Sequence, residues 1–171
     1  MSHRRWGTWT AAVTIAIAVA AAGHVWAGSG DSAPPKIQVR VDSVLASDTH
    51  QGIDVRLTPM GPRLHSLFNY TTYNLVSRQE EQTAIGSVLS FELPGGRILH
   101  VEPEGVEGDM IAMDVILFQG ERPVMSTDLK LRNHGVLLVG GPRYEQGMLI
   151  ISIGADCKCP HTPPPEAALP Q

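Results

Sequence analysis

The residues best suited to chemistry stand close to the C-terminus, in Cys157-Lys158-Cys159-Pro160-His161. Thiolates and imidazole are ligands for soft or borderline ions such as copper(I) or zinc(II). Cysteines at alternate positions, with a histidine two further on, can place Cys157, Cys159 and His161 around one ion. The spacing departs from the usual zinc pattern, in which two or more residues separate the cysteines. It also departs from the c-type haem signature, in which the histidine directly follows the second cysteine. The competing chemistry is a disulfide, either between the two cysteines or with another molecule in an oxidising compartment. A ring closed across one residue is strained and more easily reduced. The third alternative is that these cysteines are incidental.

A second candidate is Gly140-Gly141-Pro142-Arg143-Tyr144. Exposed amides of a glycine-rich turn together with Arg143 can hold an anionic group, with Tyr144 as an aromatic neighbour. The structural alternative is a bulge that bends a strand. No Gly-Lys-Ser/Thr follows, so the turn is not a phosphate loop. His50, His65, His100 and His134 are scattered, and no serine sits in a Gly-x-Ser-x-Gly turn. Asp114 stands inside an apolar run, where burial would penalise its charge. No nucleophile can be matched with a base, so the reading is a non-enzyme with no catalytic residue and no resident cofactor; copper or zinc at the C-terminal segment is the alternative.

The elements that must position these residues are strands. Lys36–Leu45 alternates apolar and polar residues, as does Ile53–Leu57. Pro62–Phe68 is the helix candidate: Leu64, Leu67 and Phe68 share one helical face, and proline suits the first turn. Tyr70–Ser77 reads as a strand, Arg78–Gln82 as a polar connector and Thr83–Leu93 as a further strand. Pro94-Gly95-Gly96 makes a hairpin turn into Arg97–Glu102, because proline fixes φ and glycine permits positive φ. Pro103–Asp109 reads as a turn, Met110–Phe118 as a central strand buried on both faces, and Val124–Arg132 as an alternating strand. Val136–Val139 is broken by Gly140-Gly141-Pro142, and Met148–Ile153 closes the series. The connections are too short for the crossovers that parallel pairing needs. The fold class is therefore all-β, or β-dominated α+β: an antiparallel β-sandwich of about nine short strands with one short helix.

The flanks differ from this body. Ser2-His3-Arg4-Arg5, the uncharged run Ala11–Ala22 and Val25-Trp26-Ala27 form the three parts of a secretory signal. The expected organisation is a signal peptide at 1–27, a linker at 28–35, the β domain at 36–154 and a proline-rich flexible tail at 155–171. Retention of the leader as an anchor is the alternative. After cleavage no transmembrane segment is expected, and the protein is placed in the periplasm or outside the cell. Across 171 residues, 17 Asp and Glu outnumber 13 Lys and Arg, and no basic run stands out, which argues against nucleic acid as a partner.

The order of elements from Leu93 to Ile153 resembles the β-rich module of outer-membrane secretins. The matching features are Leu99-His100-Val101-Glu102-Pro103, Met113-Asp114-Val115, Ser126-Thr127-Asp128-Leu129 and Leu137-Leu138-Val139-Gly140-Gly141. Secretins also have upstream ring-building domains and long membrane-inserting strands, which this sequence lacks. The resemblance implies a role in envelope assembly or binding and carries over no functional residues. The resulting expectation is an exported, non-catalytic β domain that binds or supports an envelope protein, its oligomeric state open. The alternative is a metal- or thiol-handling protein working through Cys157, Cys159 and His161.

Overall fold

The computed structural model describes residues 35–159. The expected signal peptide, the linker up to residue 34 and the tail from Pro160 onward, His161 included, lie outside the described residues.

Nine strands form two sheets packed face to face. β1 (Lys36–Ser47), β2 (Gly52–Ile53), β3 (Thr72–Ala84), β8 (Gly135–Tyr144) and β9 (Gly147–Cys157) make the larger sheet, in the order β2-β3-β1-β9-β8. β4 (Leu89–Leu93), β5 (Arg97–Glu107), β6 (Met110–Gln119) and β7 (Arg122–Arg132) make the smaller one in chain order, as a meander. Every pairing is antiparallel except the two-residue contact of β2 with β3. The β-sandwich expected from the sequence is thus the observed architecture.

Alternation decides what each face meets. Ile37, Val39 and Val41 on β1 and Ile151, Ile153 and Ala155 on β9 point inward. They meet Phe91, Leu99, Val101, Met113 and Val115 of the smaller sheet in the main core. The opposite face of the larger sheet carries Val44, Ala46, Tyr73, Leu75 and Ile150. A 3-10 segment (Val55–Met60) and α1 (Gly61–Leu67) cover it, contributing Leu57 and Leu64. Tyr73 fastens this cover, its hydroxyl donating to the Phe68 carbonyl at 2.7 Å. Among the described residues nothing covers the outer face of the smaller sheet in this way, and Ile98 and Val124 are exposed on that sheet.

Several boundaries differ from the sequence reading. Ile53–Leu57 is not one strand: pairing stops at Ile53, and Asp54 caps the 3-10 segment by accepting from the Arg56 amide at 2.9 Å. Arg78–Gln82 is not a connector but the middle of β3, paired with β1 throughout. Beyond two-residue β2, this stretch of β3 is a sheet edge, so solvent accepts polar side chains there. The Pro103–Asp109 turn shrinks to Gly108-Asp109, because β5 continues through a bulge between Pro103 and Gly105. Gly108 and Gly120, both at φ 61°, supply the left-handed first positions of two-residue turns. β6 buries one face only: Ile111, Met113, Val115 and Leu117 point inward, while Asp114 and its outward neighbours are half-buried. Gly140-Gly141-Pro142 does not end β8 but forms its bulge, with a register shift between Gly140 and Arg143. Among the described residues no helix is long and apolar enough to cross a membrane.

Candidate functional site

The two sequence-derived candidates lie at opposite ends of β9: Cys157 ends the strand, and Arg143 and Tyr144 of β8 pair with Met148 and Gly147 at its start. Ten residue steps at about 3.3 Å each separate them by roughly 30 Å, so they do not form one site.

At the C-terminal end, Cys157 is not part of an exposed tail. It is the last residue of β9, buried in the main core, and of the two described residues beyond it Lys158 is exposed and Cys159 half-buried. Cys157 and Cys159 are joined in a disulfide, with 5.2 Å between their Cα atoms. The β7–β8 turn clamps this end of the strand. The Asn133 side-chain amide donates to the Cys157 carbonyl at 3.0 Å, and the Cys157 amide donates to the Asn133 side-chain carbonyl at 2.8 Å. The His134 amide donates to the Ala155 carbonyl at 3.1 Å, and its ring Nδ1 lies 2.5 Å from Asp156 Oδ1. His134 makes this turn with a left-handed φ of 61°. With their sulfurs bonded to each other, the cysteines do not present the two thiolates a metal requires. Among the described residues no group of three or more His, Cys, Asp or Glu side chains is arranged to hold a metal ion.

At the other end, Arg143 and Tyr144 diverge because successive strand residues point to opposite faces. Arg143 is exposed and lines a depression with Tyr70, Glu145 and Met148. Tyr144 turns the other way and packs against the main core. Burial raises the Tyr144 phenol pKa above its ordinary value; neighbouring Glu145 adds to the shift and the Arg97 charge opposes it. The pair does not converge on one ligand.

Tyr144 leads instead to Arg97, which the sequence reading passed over. A Cβ placed on Gly95 would come within 3.5 Å of both the Arg97 guanidinium and the Tyr144 ring. Arg97 opens β5 on the same face as Leu99 and Val101, so the strand's own period sends its side chain inward. It is only 8% exposed. Its Nη1 donates to the Pro94 carbonyl at 2.9 Å, while its buried Nε has no acceptor. Among the described residues it has no carboxylate partner. Gln119, directly opposite Arg97 in the β5–β6 register, lines a cleft of about 350 Å³ between β7 and β8. Leu117, Val124, Met125, Val139 and Ile151 supply its apolar wall.

Among the described residues β7 and β8 also form two unpaired edges, one per sheet, joined through the Asn133-His134 turn. β7 carries Pro123, Asp128, Lys130 and Arg132, with Lys130 and Arg132 in exposed ion pairs to Glu107 and Asp109. Proline and charges of this kind blunt an edge against pairing. β8 has no such guard over Val136-Leu137-Leu138-Val139, all half-buried.

A row of carboxylates crosses the outer face of the smaller sheet. Glu102 is directly opposite Asp114, and Asp114 is directly opposite Asp128. The four stretches behind the secretin resemblance fall on β5, β6, β7 and β8, which divide between the two sheets. The chain matches no protein-family profile, no curated protein and no solved structure.

Proposed function

We propose that this chain is an exported, non-catalytic β domain that acts as a binding or structural component of the cell envelope. The observation that carries this reading is the asymmetry of its two neighbouring free edges. β7 is protected by proline and charge along its length, whereas on β8 the bulge, Pro142 and Arg143 guard only the far end and Val136–Val139 is apolar and unguarded. An added strand gains affinity from backbone hydrogen bonds and selectivity from alternate side chains. The partner on this reading is an envelope protein that supplies an extended segment to β8. The leader-like N-terminus supports an encounter outside the cytoplasm on this reading.

Val136→Lys puts a charge on the β8 edge without altering the paired backbone. Its expected effect is loss of an envelope protein that co-purifies with the wild-type chain, with an unchanged melting temperature. A chain that co-purifies with nothing from its native envelope, or whose partner is indifferent to Val136→Lys, contradicts the reading.

The disulfide supports a second reading, thiol handling through Cys157 and Cys159. On this reading a dithiol of the compartment reduces the pair, and the released thiolates can exchange or take up copper or zinc. Thiol quantification on the native protein, followed by zinc titration of wild type and Cys157→Ser/Cys159→Ser after reduction, tests it. Equal uptake by both proteins removes the metal branch, and a pair that resists physiological dithiols removes the exchange branch.

A further inference from the structure

We propose that the depression at the tip of the β8–β9 hairpin binds a carboxylate-bearing sugar, with Arg143 holding the carboxylate and Tyr70 and Met148 meeting the sugar ring. This stands apart from strand addition, because it uses side chains at the hairpin tip rather than the backbone edge of Val136–Val139.

Three observations meet here. The first is the depression itself, about 500 Å³ and so within the size of small-ligand sites. Arg143, Glu145, Gln146 and Met148 line it from the hairpin, and Tyr70 lines it from the segment that joins α1 to β3. The second is charge. Arg143 and Glu145 line the same depression, yet among the described residues neither is in an ion pair, with the other or with any third side chain. The third is the bulge. β8 slips register between Gly140 and Arg143, so Gly141 stands outside the β8–β9 pairing and lines the depression with Arg143. A Cβ on Gly140 would come within 3.2 Å of the Phe68 ring. Glycine there lets Phe68 approach, which brings the segment carrying Tyr70 against the hairpin.

These features select the ligand class. A guanidinium holds a carboxylate through two parallel N–H···O bonds. One cation with Glu145 beside it suits a single negative charge, whereas the greater charge of a phosphate monoester would be repelled by that carboxylate. A sugar ring presents C–H groups on its faces and hydroxyls at its edge. Tyr70 and Met148 offer apolar surface to a face, Glu145 accepts from hydroxyls, and Gln146 both donates and accepts. An alkyl chain would leave those polar groups without partners.

Such sugars occur as uronic acids of polysaccharides and as lactyl ethers of cell-wall glycans. The test titrates the full-length chain with digalacturonate and with N-acetylmuramate, by calorimetry and by methyl NMR. Maltose and N-acetylglucosamine are the matched neutral controls. The expected result is saturable one-to-one binding of at least one acid, about tenfold tighter than its control, as a charge-assisted pair of hydrogen bonds provides. The tighter acid identifies the source. The Met148 methyl resonance should shift. Arg143→Gln should remove the preference for the acid, and Val136→Lys should leave binding unchanged. The proposal is overturned if neither acid saturates, if the controls bind equally well, if Arg143→Gln keeps the preference, or if the Met148 resonance does not move.

Discussion

At the scale of single residues, the strongest polar constraint is the pair of Asp42 and Arg78. They face each other across β1 and β3, and the guanidinium grips the carboxylate with two bonds, at 2.7 and 2.9 Å. The Asp42 side chain is 2% exposed and that of Arg78 is 40% exposed. The hydrogen bonds to Asp42 raise the Arg78 pKa above its ordinary value. The two substitutions are therefore unequal. Arg78→Ala leaves a buried carboxylate without its counterion and should cost about 3 kcal/mol. Asp42→Asn keeps an acceptor and leaves an arginine that can turn to water, so its cost should be smaller. Urea unfolding of the two variants checks the order. Arg97 presents the opposite case: alternation with Leu99 and Val101 makes its inward direction readable, but nothing in the sequence reveals that no carboxylate meets it. That depends on where β8 and the Pro94 turn finish in space.

At the scale of elements, register creates features that no single segment contains. Glu102, Asp114 and Asp128 look unrelated in sequence, yet antiparallel pairing sets them in one row. Like charges directly opposite each other destabilise a sheet. Asp114→Asn should therefore raise stability by about 0.5 kcal/mol at low salt, and the gain should shrink as salt screens the row. A gain that ignores ionic strength would point to a cause other than repulsion.

The 3-10 segment gives a pH-dependent counterpart. Arg56 holds the Asp54 pKa well below the ordinary carboxylate range, mainly through its side-chain bonds and then through its backbone amide. A depressed pKa contributes stability above the unfolded value of about 4, and that contribution is lost as pH falls toward the folded value. Asp54→Asn should therefore melt below wild type near neutral pH and approach it in acid. Melting temperatures from pH 6 down to pH 2 check this; a difference constant across the range would contradict it.

The elements also explain which boundaries were legible. Strand type followed from alternation, and α1 followed from Pro62, although of the three residues expected to share one helical face only Leu64 is buried: Leu67 is 58% exposed and Phe68 is the extended residue that ends the helix. β3 was cut in two because Arg78–Gln82 is polar on both faces, which only an edge position permits. β9 continues beyond Met148–Ile153 to Cys157, because Ile151, Ile153, Ala155 and Cys157 keep one alternation to the strand's end.

At the scale of the molecule, the chain builds the first strands of the larger sheet, then the whole smaller sheet, and then returns with β8 and β9. That return places the β7 and β8 edges side by side, and neither the cleft nor the edge asymmetry exists before it occurs. The antiparallel sandwich was therefore legible from short connections and apolar alternation, while its candidate sites were not. Cys157 and Cys159 were conspicuous by type, but the burial of Cys157 and its clamp by Asn133 depend on the same return. Arg143 and Tyr144 were conspicuous as neighbours, and strand alternation separates them.

The proposed meeting of β8 with an envelope protein is decided by photo-crosslinking in the native cell, with the reactive side chain placed at Val136 on β8 or at exposed Val76 on β3. The expected result is one discrete adduct with an envelope protein from position 136 and none from position 76. No adduct from position 136, or the same adducts from both positions, would contradict it.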